Sequence, residues 1–298
     1  MSDKILRPTV IALGYFDSVH RGHQKVIETA RKYANEHGYD LIVFTFKGNL
    51  KAMLNADGDK MVYLPKEREE IYKKLGADGV YFAPVDFNFL SLGKTAFLNK
   101  LNKKYDIKCY VSGFDYKFGK FGKADVNDLK EYAAAHSQTV ITVDTVTVDG
   151  EKVSTTLIKK KLLSGEIEKA NALLGRKFSV TGVVMHDRKV GSGMGFPTVN
   201  LQLDKEKFRV KEGVYTGSVE YDGKDYPAII NYGTRPTFDL ANKVIEAHLV
   251  GYNGSLYDKK ITVKFSRYIR DIKKFSSADA LVEQLQKDLQ TLKESQND

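Results

Sequence analysis

The stretch that decides the fold of the first half is Thr9-Val-Ile-Ala-Leu-Gly-Tyr-Phe-Asp17, which leads into Ser18-Val-His20-Arg-Gly22-His23. The apolar run predicts a buried strand, and the amphipathic pattern after it predicts a helix. A helix N-terminus attracts phosphate because its first N–H groups are unpaired and carry the positive end of the dipole. His20 and His23 flank Gly22, so both imidazoles can donate to a phosphate that approaches the backbone. Nucleotidyl transfer is therefore the first hypothesis.

The composition sets limits on the class of protein. Hydrophobic residues make up 42% and charged residues 29%, as in a soluble globular protein. No apolar run approaches the roughly 20 residues that span a bilayer, and the N-terminus lacks a signal-peptide pattern. We therefore expect a cytoplasmic protein without membrane contact. The single cysteine, Cys109, excludes an intrachain disulfide and a cysteine metal cluster.

The net charge of +9 favours anionic partners. Nucleotides satisfy this charge as well as nucleic acids do. The sequence shows no RNA-binding aromatic motif and no zinc finger, so nucleic-acid binding is disfavoured as the main function.

Residues 1–158 alternate short apolar runs with helical patterns, which predicts an α/β, Rossmann-like domain with a parallel sheet. Right-handed crossovers place ligands at the carboxyl ends of such strands. Strands are predicted at Val10–Leu13, Leu41–Phe46, Val80–Ala83, Ile107–Val111 and Val140–Val143, and helices at His23–His37, Lys66–Leu75, Thr95–Lys104 and Val126–His136.

The second half has a different pattern. Residues 159–177 are predicted to be a helical connector, and Gly165 suggests that residues 155–174 form two short helices. From 178 to 298, strand-like runs separated by Gly, Asp and Asn turns predict a small antiparallel β-barrel. A terminal helix begins at Ser276 or Ser277, either of which is a candidate cap. Its strands are predicted at Phe178–Met185, Gly213–Tyr221, Tyr226–Asn231, Val244–Val250 and Lys260–Phe265.

Three further groups in the first half carry polar side chains of interest. The segment 112–119 follows a predicted strand and so lies at the same edge of the sheet as the histidines. Ser154, Thr155 and Thr156 open a helix, and helix capping explains these hydroxyls as well as triphosphate contacts do. Asp17 either orients a histidine or a metal, or caps the turn.

A second candidate site lies in the second half, where residues 191–195 are rich in glycine and Pro197-Thr198-Val-Asn200 follows. Glycine-rich backbone can approach phosphate closely. Thr198 and Asn200 offer neutral oxygens of the kind that Mg²⁺ accepts beside phosphate. A plain loop is the alternative for the glycines. Without any further information, Glu246 is interpreted as a solvent-exposed side chain on a strand whose residues alternate between the two faces.

The motifs of the first half occur in a characteristic order. G-x-F-D-x-x-H-x-G-H is followed by G-x-D-x-x-F-G and then by S-x-T-x-I. This order resembles the prokaryotic bifunctional riboflavin kinase/FMN adenylyltransferases. The resemblance implies transfer of AMP from ATP to FMN, which gives FAD and pyrophosphate. It implies catalytic roles for His20 and His23, an ATP site at Gly14, Phe16, Asp17, Gly22, Ser154, Thr155 and Thr156, and a flavin contact at Asp115.

The second half resembles the kinase module of the same family. Residues 213–215, 231–238, 246–248, 256–257 and 270–275 follow the order seen in riboflavin kinases. The resemblance implies that Glu246 is the base for phosphorylation of the riboflavin 5′-hydroxyl. It implies a nucleotide site at Gly193, Gly195, Thr198 and Asn200, with Mg²⁺ on the last two, and flavin contacts at Arg270 and Phe275. ATP is a co-substrate, riboflavin, FMN and FAD are the other partners, and a monomer or weak homo-oligomer is expected. His186 and His248 are interpreted as structural.

The chain departs from the family pattern at several positions. Tyr15 stands where the family usually has Asn, Ser18 where it has Gly, and Ser192 where it often has Arg. Residues 46–50 replace F-x-P-H-P, and Lys159 replaces an Arg, which keeps the charge and loses a bidentate fork.

Two rival hypotheses follow from these features. One is a riboflavin kinase whose first half only binds or scaffolds, although retention of both histidines argues against it. The other is a nucleotide- or nucleic-acid-binding regulator, motivated by the charge.

Overall fold

The computed structural model describes residues 7–54, 60–186, 198–234 and 243–294. The chain divides into two compact units, Met1–Thr155 and Thr156–Asp298. Within the described ranges, no helix has the length and apolar character needed to cross a membrane.

The first unit has the predicted alternation of strands and helices, and the predicted elements begin and end within two residues of the observed ones. The sequence did not predict the short helices at Leu50–Leu54 and Phe87–Leu90 or the hairpin of Thr147–Val148 and Glu151–Lys152. The elements are β1 (Pro8–Leu13), α1 (Arg21–His37), β2 (Asp40–Phe46), α2 (Leu50–Leu54), α3 (Pro65–Lys74), β3 (Gly79–Ala83), α4 (Phe87–Leu90), α5 (Lys94–Lys104), β4 (Asp106–Gly113), α6 (Val126–Ala135), β5 (Thr139–Val143), β6 (Thr147–Val148) and β7 (Glu151–Lys152).

The described strands β1–β5 form a parallel sheet in the order β3-β2-β1-β4-β5, which confirms the α/β fold. Strand β1 is central because both of its faces are apolar. Val10 and Ala12 pack on the side that carries α1, whereas Ile11 and Leu13 pack on the opposite side. The carboxyl end of β1 therefore opens at the middle of the sheet edge, where ligands bind in folds of this kind.

The second unit carries two short helices, an antiparallel sheet and a long terminal helix. The two helices confirm the expected break at Gly165. The sequence did not predict the strand at Thr198–Gln202, which comes shortly after the glycine-rich stretch. The elements are α7 (Thr155–Ser164), whose first residue closes the first unit, α8 (Ile167–Leu174), β8 (Phe178–Val183), β9 (Thr198–Gln202), β10 (Gly213–Tyr221), β11 (Lys224–Thr234), β12 (Lys243–Leu249), β13 (Lys260–Arg270) and α9 (Ala278–Glu294).

The sheet of the second unit curls into a half-barrel, with the described strands in the order β8-β13-β10-β11-β12-β9. Its outer strands approach each other, since the N–H of Met185 donates to the carbonyl of Asn200 at 2.9 Å. Helix α9 covers part of one face, where Leu292 packs on Val214 and Ile229. Ser277 caps this helix, because its Oγ accepts from the N–H of Ala280 at 3.2 Å.

Candidate active sites

The turn after β1 is a strained cradle. An added Cβ at Gly14 would lie 2.4 Å from Cε1 of Phe16, so a larger residue there would force the Phe16 ring to shift. Phe16 and Val19 have φ values of 49° and 43°, a left-handed conformation that bulky and β-branched residues rarely adopt. Such strain persists only where the surrounding structure enforces it, and it is concentrated at functional sites.

The two histidines lie together at the N-terminus of α1, as the sequence predicts. His20 is the N-cap, and its Nδ1 accepts from the backbone N–H of His23 at 3.2 Å. The neutral His20 ring therefore carries its proton on Nε2, where it can be donated to a ligand. The two rings are stacked, with centroids 3.6 Å apart. A Cβ at Gly22 would lie 3.1 Å from Cε1 of His20, so glycine keeps the backbone open beside the imidazoles.

Thr155, the first residue of α7, contacts the same turn. Ser18, which is fully buried, shares a hydrogen bond of 2.9 Å with Thr155. Ser154 is half-buried and Thr156 is exposed. The residue that departs from the family pattern thus connects the histidine turn to the second predicted phosphate-binding segment.

Asp17 anchors the chain beside the turn. Its carboxylate is 2% exposed, and Oδ1 accepts from the backbone N–H of Val62 at 2.9 Å. This contact ties the turn to a segment 45 residues further along the chain, and both predicted roles of Asp17 stay predictions. Among the described residues there is no group of three or more His, Cys, Asp or Glu side chains that could hold a metal ion.

Tyr72 supports the backbone of the same turn. Burial raises the pKa of Tyr72 to about 12, so its hydroxyl stays protonated and donates to the Phe16 carbonyl at 3.3 Å.

The other positions of the first half that depart from the family pattern, Tyr15 and residues 46–50, form one cluster around Arg68. The sequence did not indicate a role for Arg68. The Arg68 guanidinium is fully buried, lies 5.7 Å from the centre of the Tyr15 ring and donates to the carbonyls of Tyr15 and Phe46 at 3.0 and 2.7 Å. The Tyr15 hydroxyl accepts from the N–H of Leu50 at 3.3 Å. The altered position 15 and the altered segment 46–50 are therefore packed on each other. The burial of Arg68 could not be predicted from the sequence, because an arginine in an amphipathic helix usually lies on the exposed face.

Asp115 lies after β4 and is exposed. Its carboxylate is 3.7 Å from Nζ of Lys152 on β7. The predicted flavin contact of Asp115 stays a prediction.

Lys159, which stands where the family pattern has an arginine, is buried, and its Nζ lies 5.0 Å from the centre of the Phe208 ring.

The second site lies on adjoining strands of the half-barrel. The register pairs Glu246 on β12 with Asn200 on β9, and His248 with Thr198. Thr198 donates from Oγ1 to Oε1 of Glu246 at 3.1 Å. Asn200 is 6% exposed. Gly193 and Gly195, together with Ser192, lie outside the described residues.

The oxygen atoms at this second site fit Mg²⁺. Thr198 and Asn200 contribute neutral oxygens, and Glu246 adds a carboxylate on the same face of the sheet. Mg²⁺ prefers oxygen ligands of this kind and usually shares them with substrate phosphates and water.

Arg270 and Phe275 lie at the end of β13 and beyond it. The Arg270 guanidinium binds Asp288 of α9 through two hydrogen bonds of 3.0 and 2.7 Å, and Asp288 is 1% exposed. The guanidinium carbon is 5.9 Å from the centre of the Phe275 ring. The sequence did not predict this ion pair, because its partners belong to separate elements that meet only in the folded unit.

Comparison with known proteins identifies the family to which each half of the chain is similar. A family model for FAD synthetase matches residues 2–157, and one for riboflavin kinase matches residues 174–296. The bifunctional riboflavin kinase/FMN adenylyltransferase of Listeria monocytogenes is 32% identical over 94% of this chain and 90% of its own length. The one from Bacillus subtilis is 32% identical over 95% and 90%. The chain therefore belongs to the bifunctional riboflavin kinase/FMN adenylyltransferase family.

A solved structure has the same fold over nearly the whole chain. It is described as a macrolide-efflux protein from Streptococcus pneumoniae, and it matches 97% of this chain and 96% of its own with a TM-score of 0.86 and 32% identity.

Proposed function

We propose that this protein makes FAD from riboflavin in two steps. Residues 178–298 transfer the γ-phosphate of ATP to riboflavin, residues 1–158 transfer AMP from a second ATP to the resulting FMN, and residues 159–177 connect them. The observation that supports the proposal is the presence of two sets of functional groups, each within its own unit: stacked histidines at a helix N-terminus, and Glu246 beside the neutral oxygen atoms of Thr198 and Asn200. We do not propose macrolide efflux for this chain, because the two family models that match this chain are those of riboflavin kinase and FAD synthetase.

In the kinase step, Glu246 accepts the proton that the riboflavin hydroxyl loses as it attacks the γ-phosphorus. The hydrogen bond from Thr198 orients the carboxylate for this role. Mg²⁺, when held by Thr198 and Asn200, would neutralise phosphate charge as it develops. A base placed in this way contributes roughly 10²- to 10⁴-fold to the rate.

In the adenylyltransferase step, the FMN phosphate is itself the nucleophile, and it attacks the α-phosphorus as pyrophosphate leaves. The protein therefore contributes position and hydrogen bonds rather than a covalent intermediate. His20 donates from Nε2, His23 lies parallel to it, and Ser154, Thr155 and Thr156 add hydroxyls at the start of α7. Removing one donor of this kind commonly costs about 2.7–4 kcal/mol of transition-state stabilisation.

The first rival, a kinase with an inactive first half, is disfavoured by how the departures are accommodated. Ser18 adds a hydrogen bond to Thr155, and Tyr15 packs on the segment that replaces F-x-P-H-P. A site that had lost its function would have no reason to keep a strained backbone at Phe16 and Val19.

Of the residues expected to contact flavin, we propose a different role for Arg270. Because Asp288 occupies the Arg270 guanidinium, Arg270 positions the segment that carries Phe275 rather than pairing with the substrate. Asp115 is proposed to contact the flavin of the adenylyltransferase site.

Product analysis tests the proposal. The purified protein is incubated with riboflavin, ATP and Mg²⁺, and flavins are separated by chromatography over time. We expect FMN first and FAD later. FMN without FAD would favour the kinase with an inactive first half. No flavin product, together with nucleic-acid binding that weakens steeply with salt, would favour the regulator.

A further inference from the structure

Asn231 lies beside the proposed kinase base on the side away from the nucleotide ligands. Strand β11 is internal to the sheet, and its register pairs Asn231 with Glu246 on β12 and with Val214 on β10. Cross-strand partners share a face, with Cα atoms about 4.5–5.5 Å apart. Asn200, Glu246 and Asn231 therefore form one row across three strands, with the carboxylate in the middle.

The carboxamide of Asn231 is unusual for a structural residue. Asparagine is depleted in strands, and the neighbouring Ile230 and Tyr232 are buried while Asn231 is exposed. No hydrogen bond found among the described residues uses its side chain. Asn171 in the same unit shows the contrast, since it donates to the carbonyl of Phe265 at 2.9 Å and accepts from the N–H of Phe178 at 2.7 Å.

The surface next to Asn231 changes from polar to apolar. Gly233 follows on the same face of β11, and a Cβ there would lie 2.4 Å from Cδ1 of Ile272. Ile272 belongs to the segment between Arg270 and Phe275, and its side chain is 44% exposed. Along this face the chain thus offers a base, then a neutral donor and acceptor, then an exposed aliphatic surface.

Riboflavin carries chemical groups in the same order: a terminal hydroxyl, a chain of further hydroxyls and an apolar ring system. We propose that Asn231 binds the sugar-alcohol chain of the acceptor and holds its terminal hydroxyl at Glu246. A carboxamide suits this role because it donates and accepts at once, as a polyol requires. The inference rests on the proposed kinase activity. It makes Asn231 a determinant of specificity for acceptors that carry a hydroxylated chain.

The test compares riboflavin with lumiflavin, which has the same ring system without the hydroxylated chain. In Asn231→Ala we expect riboflavin binding to weaken about tenfold, in line with one or two lost hydrogen bonds. Lumiflavin binding and the KM for ATP should stay within about twofold of wild type, and Asn231→Ser should recover part of the loss. Gln202→Ala is the matched control, because Gln202 carries an exposed carboxamide on the same face of β9 as Asn200. It should bind both flavins normally.

Equal weakening of riboflavin and lumiflavin by Asn231→Ala would overturn the inference, because it would indicate damage to the site as a whole. Unchanged riboflavin binding would overturn it as well. Failure of the wild-type protein to phosphorylate riboflavin would instead overturn the proposed function, so the two failures are distinguishable.

Discussion

The two candidate sites are built in different ways. The first lies on a turn at the end of a central strand, where strained backbone at Phe16 and Val19 and the crowding around Gly14 fix the position of the histidines. The second lies on the face of a sheet, where strand register places Asn200 and Asn231 on either side of Glu246. The first site is therefore sensitive to local backbone changes, whereas the second depends on contacts that hold whole strands and the terminal helix in place.

The largest effect on stability is expected at the ion pair that ties α9 to β13. Asp288→Ala leaves the Arg270 guanidinium, whose side chain is 14% exposed, without its buried partner. Breaking such a pair costs about 3–5 kcal/mol. Urea unfolding with hydrogen exchange of the α9 and β13 amides measures this loss, and FMN formation should fall with it.

Glu283→Ala is the control for this prediction. Glu283 pairs with Lys287 on the same helix, but the side chains are 68% and 65% exposed. Its removal should change the stability far less than Asp288→Ala does, because solvent screens an exposed pair. Equal losses of stability in the two variants would show that the buried pair stabilises the second unit no more than an exposed pair does.

A smaller effect is expected from Gly14→Ala in the first site. The new Cβ would meet Phe16 at 2.4 Å, and such overpacking costs about 1–3 kcal/mol. FAD formation should fall because the turn that carries His20 shifts, while FMN formation continues. Gly93→Ala is the control, since a Cβ at Gly93 meets nothing within 4 Å. If Gly14→Ala formed FAD at the wild-type rate, the turn would not be the rigid element that we describe.

The smallest effect is expected from the hydrogen bond between Ser18 and Thr155. A double-mutant cycle with Ser18→Ala and Thr155→Val isolates their interaction, which we expect to contribute about 0.5–1.5 kcal/mol. Chemical unfolding of the four proteins provides the measurement. A coupling energy of zero would mean that the departure at position 18 does not support the site.

Much of this organisation could be predicted from the sequence, because it is local. The strand, glycine turn and helix around His20 follow from hydrophobic periodicity and capping, and Gly38 ends α1 in the left-handed conformation that glycine favours. Other features could not be predicted, because they depend on residues far apart in the chain. Strand β9 is defined by pairing with β12, and burial of Arg68 depends on one carbonyl in the turn after β1 and one at the end of β2.

The account predicts two separable activities in one chain, and two variants test this most directly. His23→Ala removes a donor from the first site, and Glu246→Gln removes the base from the second. With riboflavin, ATP and Mg²⁺, His23→Ala should accumulate FMN and form FAD at least about 100-fold more slowly. Glu246→Gln should form almost no FMN, yet convert supplied FMN to FAD at the wild-type rate. A mixture of the two variants should again make FAD from riboflavin. Undiminished FAD formation by His23→Ala alone would contradict the account.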